Sequence, residues 1–333
     1  MAQRIILIHG RSVKPAKRQQ TRLVKEALLQ GLNRVDAAKA NAVRGGTVKV
    51  DFVYYGDINN KILGEHSTKD REKLTASDPD FNNAPCLPHE DYDEGLEAIG
   101  HVKTFNKRTY RKILAENKDL QFIDDASRAL STVASLLTAS FLNEVAIKRG
   151  TADMGAYLMQ RSVGSQVRER LQAPLRKALK AGDDICLVSH SMGCMVAYDV
   201  LWKFSRMSEY RDLRENGNRV ASWVALGSPL GEAGVKANLY DADERAYDGG
   251  TDKHPKNIVK HWHNIAAHDD FICHDATMKD DYKAMRTFGY VETIKDHRIY
   301  NCWTRNGTSN PHNFYGYLVH PLTAGLIADW IAG

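Results

Sequence analysis

The sequence predicts an α/β fold in which a mostly parallel central sheet is flanked by helices and one long insertion interrupts the pattern. Three observations carry this. Short apolar runs of strand length alternate with stretches whose apolar residues recur at helical spacing. The first of these runs is apolar throughout, as a strand covered on both faces reads. A tract over about 57–150 breaks the alternation once and is too long for an ordinary connection.

Taken in chain order, Ile5-Ile6-Leu7-Ile8 is the first strand, ending at His9-Gly10. Pro15 opens a helix in which Val24, Leu28, Leu32 and Val35 share a face. Gly45-Gly46 breaks the chain, and 48–56 is the second strand. Strand, helix and strand in this order make a βαβ unit, hence parallel pairing. Residues 57 to about 120 then read as polar and irregular, with clusters of Asn, Asp, Lys and Pro. Leu130, Val133, Leu137, Phe141 and Val145 mark one face of a helix that ends near Gly150. We read 57–150 as an inserted cap or lid within a single domain spanning 1–333. Alternation resumes with a helix carrying Val167, Leu171, Leu175 and Leu179, kinked at Pro174 and ended by Gly182. A strand at 185–188, a helix from 192 to about 204 and a strand at 220–226 follow. Segments 258–266 and 298–303 read as two further strands, and a helix over 321–331 places Leu322, Leu326 and Trp330 on one face.

Composition narrows the function classes. Lys and Arg number 46 against 41 Asp and Glu, a net charge of +5 that is mild for 333 residues. Charges of both signs are interspersed with no long basic block, so no nucleic-acid partner is expected. Five cysteines (Cys86, Cys186, Cys194, Cys273, Cys302) form no CxxC pair and are odd in number, which favours a reducing, cytoplasmic setting. The opening apolar run is too short for a signal-peptide core. The longest charge-free apolar stretch, 129–142, falls short of the ~18–20 residues that cross a bilayer. No stable membrane insertion is expected.

The segment richest in chemistry is Ile185-Cys-Leu-Val-Ser189-His190-Ser191-Met192-Gly193-Cys194. An apolar strand runs into a sharp turn bearing a serine, and a helix leaves at once. Small residues flank the serine because a tight turn brings backbone against backbone. This segment resembles the nucleophile elbow, G-x-S-x-G, of the α/β-hydrolase superfamily, with Ser189 in place of the first glycine. The bland alternative is a serine that caps a buried helix.

The resemblance implies an α/β-hydrolase fold and a triad in the order Ser, Asp or Glu, His. Leu226-Gly-Ser-Pro-Leu230 then ends the strand after the elbow. Trp262-His-Asn264, followed by His268-Asp269-Asp270, resembles the acid-bearing segment of superfamily esterases and lipases, which aligns Asp270, with Asp269 as the near alternative. Pro311-His312-Asn313-Phe-Tyr315 precedes the last helix, where the superfamily places its histidine; His320 is the competitor. Two N–H groups are expected to hold the oxyanion, one on Met192 and one on Arg11 in the His9-Gly10-Arg11-Ser12 loop, with Ser12 as the alternative.

The implied activity is that of a serine hydrolase on a small carboxylic ester, through an acyl-enzyme, with no cofactor and no metal. A thioesterase or amidase on the same triad, and a non-catalytic binding protein on the same fold, are the alternatives. His261, His263, His268, Asp269, Asp270, His274 and Asp275 crowd one stretch, yet their spacing matches no familiar metal motif and reads as solvated or supporting histidines. Lys14, Lys17 and Arg18 read as the solvent face of the first helix, and Cys194 as helix packing.

Overall fold

The fold was described from a computed structural model; the described residues are 2–12, 14–66, 152–242, 253–268, 270–273, 276–299, 301, 303–305, 308–309 and 311–332. Six strands form one all-parallel sheet: β1 (Gln3–Ile8), β2 (Lys49–Val53), β3 (Asp184–His190), β4 (Val220–Leu226), β5 (Val259–Ala267) and β6 (Thr293–Ile299), in the order β2-β1-β3-β4-β5-β6. Helices cover both faces, which is why β1, β3 and β4 can each carry apolar residues at successive positions. Side chains alternate along β1: Ile6 and Ile8 enter one core, and Ile5 and Leu7 enter the other.

The first core is closed by α4 (Ala152–Met159), α5 (Arg161–Lys180) and α6 (Met192–Arg206). The second is closed by α1 (Lys17–Val35) and α2 (Ala37–Arg44), with α7 (Phe314–Val319) and α8 (Pro321–Ala332). In α1 the buried residues Leu23, Val24, Ala27, Leu28 and Leu32 form the expected stripe. Trp223 and Trp262, on neighbouring strands, stack within the first core with ring centroids 4.4 Å apart. Such a pair adds about 0.5–1.5 kcal/mol beyond its area burial.

Two expectations need correction. First, the segment from 57 is not irregular from its start, because Gly56–His66 forms a helix, α3, with Ile62 and Leu63 buried. Its large apolar residues, Ile58, Ile62 and Leu63, are few, so the pattern is weak until the neighbouring α4 supplies something to pack against. Second, the sixth strand is Thr293–Ile299, not 298–303. As an edge strand it is half solvated and reads polar, whereas Asn301 and Trp303 are buried after the chain has left the sheet. The helix expected across Pro174 is α5, a helix of 20 residues with the proline inside it. The stretch carrying Leu130, Val133, Leu137, Phe141 and Val145, and with it the cap, lies outside the described residues apart from α3. No helix among the described residues is long and apolar enough to cross a membrane.

Parallel pairing has one decisive consequence. Ile8 aligns with Ser189, His190 with Leu226, and Leu226 with Ile265. The C-terminal ends of β1, β3, β4 and β5 therefore open at one edge of the sheet. The order also reverses between β1 and β3, since β2 lies on the far side of β1. In an open parallel sheet a crevice forms at such a switch point, and ligands bind there.

Candidate active site

Ser191 sits at this switch point, directly after β3 and directly before α6. Its backbone takes φ 53° and ψ −126°, a conformation that costs a non-glycine residue roughly 1–3 kcal/mol. The turn is held by the Ser191 N–H, which donates to the Leu226 carbonyl at 3.0 Å, and by the Cys194 N–H, which donates to the Ser191 carbonyl at 2.8 Å. Neighbours must be small for this to close. A Cβ on Gly193 would lie 2.5 Å from the His9 carbonyl oxygen, at the end of β1. Ser189 fits where a glycine was the expectation, because its hydroxyl turns into the core, accepting from Trp223 Nε1 at 2.8 Å and donating to Cys194 Sγ at 3.2 Å.

The structure brings Ser191, His312 and Asp270 together. The Ser191 hydroxyl lies 2.8 Å from His312 Nε2, and His312 Nδ1 lies 2.7 Å from Asp270 Oδ2. A carboxylate only accepts, so Nδ1 carries the proton and Nε2 is left as the acceptor facing the serine. Asp270 is buried, and its other oxygen accepts the Ile272 N–H at 3.0 Å. Burial pushes its carboxyl up, but the His312 charge and the hydrogen bonds from His312, Tyr317 and Ile272 outweigh it. The net effect holds Asp270 below the usual carboxylate range and hence ionised.

The rivals fall elsewhere. His320 stands at the start of α8, where Nδ1 accepts the Leu322 N–H at 3.1 Å, and burial with the Arg34 charge pushes it down to about 4. Asp269 lies outside the described residues. Cys194 is buried, which pushes its thiol up to about 12, so it packs in its neutral form. Lys17 and Arg18 are exposed, whereas Lys14 precedes α1 and pairs by its backbone with the Asn60 side chain.

Of the two expected oxyanion donors, Met192 is the first residue of α6, so its N–H has no partner within the helix and points from the positive end of the helix dipole. In the facing loop, Gly10 lies against Ser191: a Cβ there would be 2.7 Å from Ser191 Cβ. Arg11 follows immediately. The Ser12 N–H is already committed, donating to Asp153 Oδ2 at 2.6 Å.

Several supporting residues carry no sequence signal of their own. The Tyr317 hydroxyl donates to Asp270 Oδ2 at 2.7 Å and accepts the Ala267 N–H at 2.8 Å, fixing the carboxylate from behind. His190 Nε2 donates to the His312 carbonyl at 2.9 Å, and its ring stacks on Phe314. Asn301 Nδ2 donates to the carbonyls of Pro311 and Asn313, both at 2.9 Å, so it clamps the loop that presents His312. In the sequence Gly227 reads only as a strand-ending glycine. Its φ of 52° and its place beside the triad both require it, since a Cβ would lie 3.0 Å from Asp270 Oδ2 and 3.2 Å from His312 Nδ1.

The histidine-rich stretch splits. His261 and His263 share a face of β5; His263 Nδ1 lies 3.2 Å from His297 Nε2 on β6, and His261 Nδ1 lies 3.1 Å from the Thr293 hydroxyl. Among the described residues no three His, Cys, Asp or Glu side chains are placed to hold a metal ion. The chain matches no family model, no curated protein and no solved structure.

Proposed function

We propose that this chain is a serine hydrolase of the α/β-hydrolase type that cleaves a small carboxylic ester through an acyl-enzyme. The observation that carries the reading is the unbroken line from Asp270 through His312 to Ser191, at 2.7 and 2.8 Å, built on a strained strand-to-helix turn. A structural role alone gives no reason for a serine to hold an unfavourable backbone conformation while facing an imidazole that a buried carboxylate orients. The chain order Ser, Asp, His agrees with the superfamily.

In this reading Ser191 Oγ attacks the ester carbonyl carbon as its proton passes to His312 Nε2. Asp270 holds the tautomer and stabilises the imidazolium. The tetrahedral oxyanion is held by the N–H groups of Met192 and Arg11, a choice over Ser12 that the Ser12–Asp153 bond favours. Collapse breaks the C–O bond, and His312 returns its proton to the departing alcohol. Water, deprotonated by the same histidine, then releases the acid and frees Ser191. The insertion leaves at the C-terminal end of β2 and returns at α4, beside the Arg11–Ser12 loop, which supports its reading as a cap over the site.

The test is fluorophosphonate labelling with peptide mapping, alongside hydrolysis of nitrophenyl esters of graded acyl length. The wild type is expected to label at Ser191 and turn over, and Ser191→Ala to do neither while keeping its melting temperature. Turnover by Ser191→Ala at the wild-type rate overturns the proposal.

A further inference from the structure

We propose that Asp153 is the positioning residue that sets the oxyanion loop. The inference rests on the hydrolase reading above and extends it to a residue outside the triad and its donors. Among the described residues only three non-glycine residues have a positive φ, namely Ser12 (80°), Ser191 (53°) and Asn257 (55°). Two of the three stand on either side of the place where an oxyanion would form. Ser191 is held by its elbow. Ser12 has no such turn, and a left-handed serine relaxes unless something over-determines it.

Asp153 supplies that constraint. Its side chain is completely buried, and one carboxylate takes two donors from the loop: the Ser12 N–H on Oδ2 at 2.6 Å and Arg11 Nε on Oδ1 at 3.2 Å. Both carboxylate oxygens are used, and together they grip the backbone and a side chain of two successive residues. Oδ1 also accepts the Met154 N–H at 3.0 Å, so the carboxylate is itself fixed to the first turn of α4.

The mounting of α4 explains why this grip can set geometry. One turn further along, the hydroxyl of buried Tyr157 donates to Asp199 Oδ2 on α6. The same α6 begins with Met192, the other oxyanion donor, and follows Ser191 directly. Gly10 closes the circuit by lying against Ser191. The Arg11 loop and the Met192 donor are thus referred to one frame by two buried carboxylates, Asp153 and Asp199. Arg11 N–H sits between the fixed points Gly10 and Ser12, and losing Asp153 frees one of them. A donor displaced by even about 1 Å costs on the order of 10²-fold in rate, because it must meet the oxyanion and not the ground-state carbonyl.

The experiment compares wild type, Asp153→Asn and Asp153→Ala for kcat, KM and the pH profile on a nitrophenyl ester, and for inhibition by a trifluoromethyl ketone, whose adduct with Ser191 carries an oxyanion. Expected for Asp153→Ala is a fall in kcat of about 10–100-fold with KM nearly unchanged. The ketone should weaken by a similar factor, and the acidic limb of kcat/KM should stay in place. Asp153→Asn keeps a neutral acceptor and should retain several times the kcat of Asp153→Ala. It also serves as the test if Asp153→Ala does not fold. A lowered melting temperature with wild-type kcat and ketone affinity, in whichever variant folds, would reduce Asp153 to a structural anchor and overturn the proposal. A shifted acidic limb would place its effect on His312 and overturn it equally. If the wild type neither labels at Ser191 nor turns over, the hydrolase reading fails and this inference falls with it; active wild type with unaffected variants sinks the inference alone.

Discussion

Replacing Asp270 by Asn is the most demanding test of the site, because its consequence can be worked out atom by atom. In the wild type Oδ2 accepts from His312 Nδ1 and from Tyr317, and Oδ1 accepts from Ile272. An asparagine has one acceptor oxygen, and all three of these neighbours offer protons. With its amide NH2 towards His312, the ring must move its proton to Nε2, which then points at the Ser191 hydroxyl and cannot take its proton. With the oxygen towards His312, the tautomer survives but the NH2 faces the Ile272 N–H in a buried place, leaving a donor unpaired at a cost of about 1–3 kcal/mol. The first arrangement is the cheaper, since the Tyr317 hydroxyl can turn and accept. Asp270→Asn should therefore fold, lose little stability, and lose about 10³–10⁴ in kcat, as happens when a triad carboxylate is neutralised in a serine protease. At about 1.4 kcal/mol per factor of ten, that is about 4–5.5 kcal/mol of lost transition-state stabilisation. The assay is steady-state ester hydrolysis with urea unfolding run in parallel. A kcat within tenfold of wild type, from a variant as stable as wild type, would refute the role of Asp270.

Two further outcomes are expected. His312→Ala should lose at least about 10³ in kcat, while His320→Ala should stay within a few-fold and lose about 1 kcal/mol of stability from the start of α8; titration of both variants against the nitrophenyl ester decides, and the reverse ranking moves the base to His320. Stability should also fall as the pH drops below about 6.5. Burial, with the Lys14 charge, pushes His9 down to about 3, and burial with His312 and Lys14 holds His190 well below its ordinary range. The unfolded chain protonates these rings first, so the stability present above pH 6.5 is lost towards acid, at about 1.4 kcal/mol per pH unit for each. Asp199, which burial raises to about 6, acts in the opposite sense between pH 6 and 4 but is one group against several. Urea midpoints at pH 7.5, 6 and 5 measure this; a midpoint that rises towards pH 5 contradicts it.

Element type was legible in the sequence wherever burial is settled locally. A strand covered on both faces, such as β1 or β3, must be apolar at successive positions, and a helix packed on a sheet must carry a stripe. The run Ile5–Ile8 and the helical spacing of Val167, Leu171, Leu175 and Leu179 can therefore be read without knowing the neighbours. The elbow is legible for the same reason, because Ser189 to Gly193 is a steric statement made within five residues. Where burial depends on position in the sheet, reading fails. The sequence pattern starts the edge strand β6 at 298 instead of 293 and extends it through Asn301 and Trp303, which are buried outside the sheet.

The site depended on tertiary structure to a greater degree. His312 meets Asp270 across 42 positions and Ser191 across 121, and the resemblance supplied those partners by order while the sheet register brought them within hydrogen-bond reach. The competitors Asp269 and His320, and the choice between Arg11 and Ser12, had no internal sequence criterion. His320 and Ser12 are separated from the site by bonds to Leu322 and Asp153. Tyr317, Asn301, Gly227 and Asp153 are ordinary letters in their own segments. What makes each of them matter is a single polar atom or a missing Cβ facing a group far away in the chain, and hydrophobic periodicity, a local property, carries no information about such a meeting.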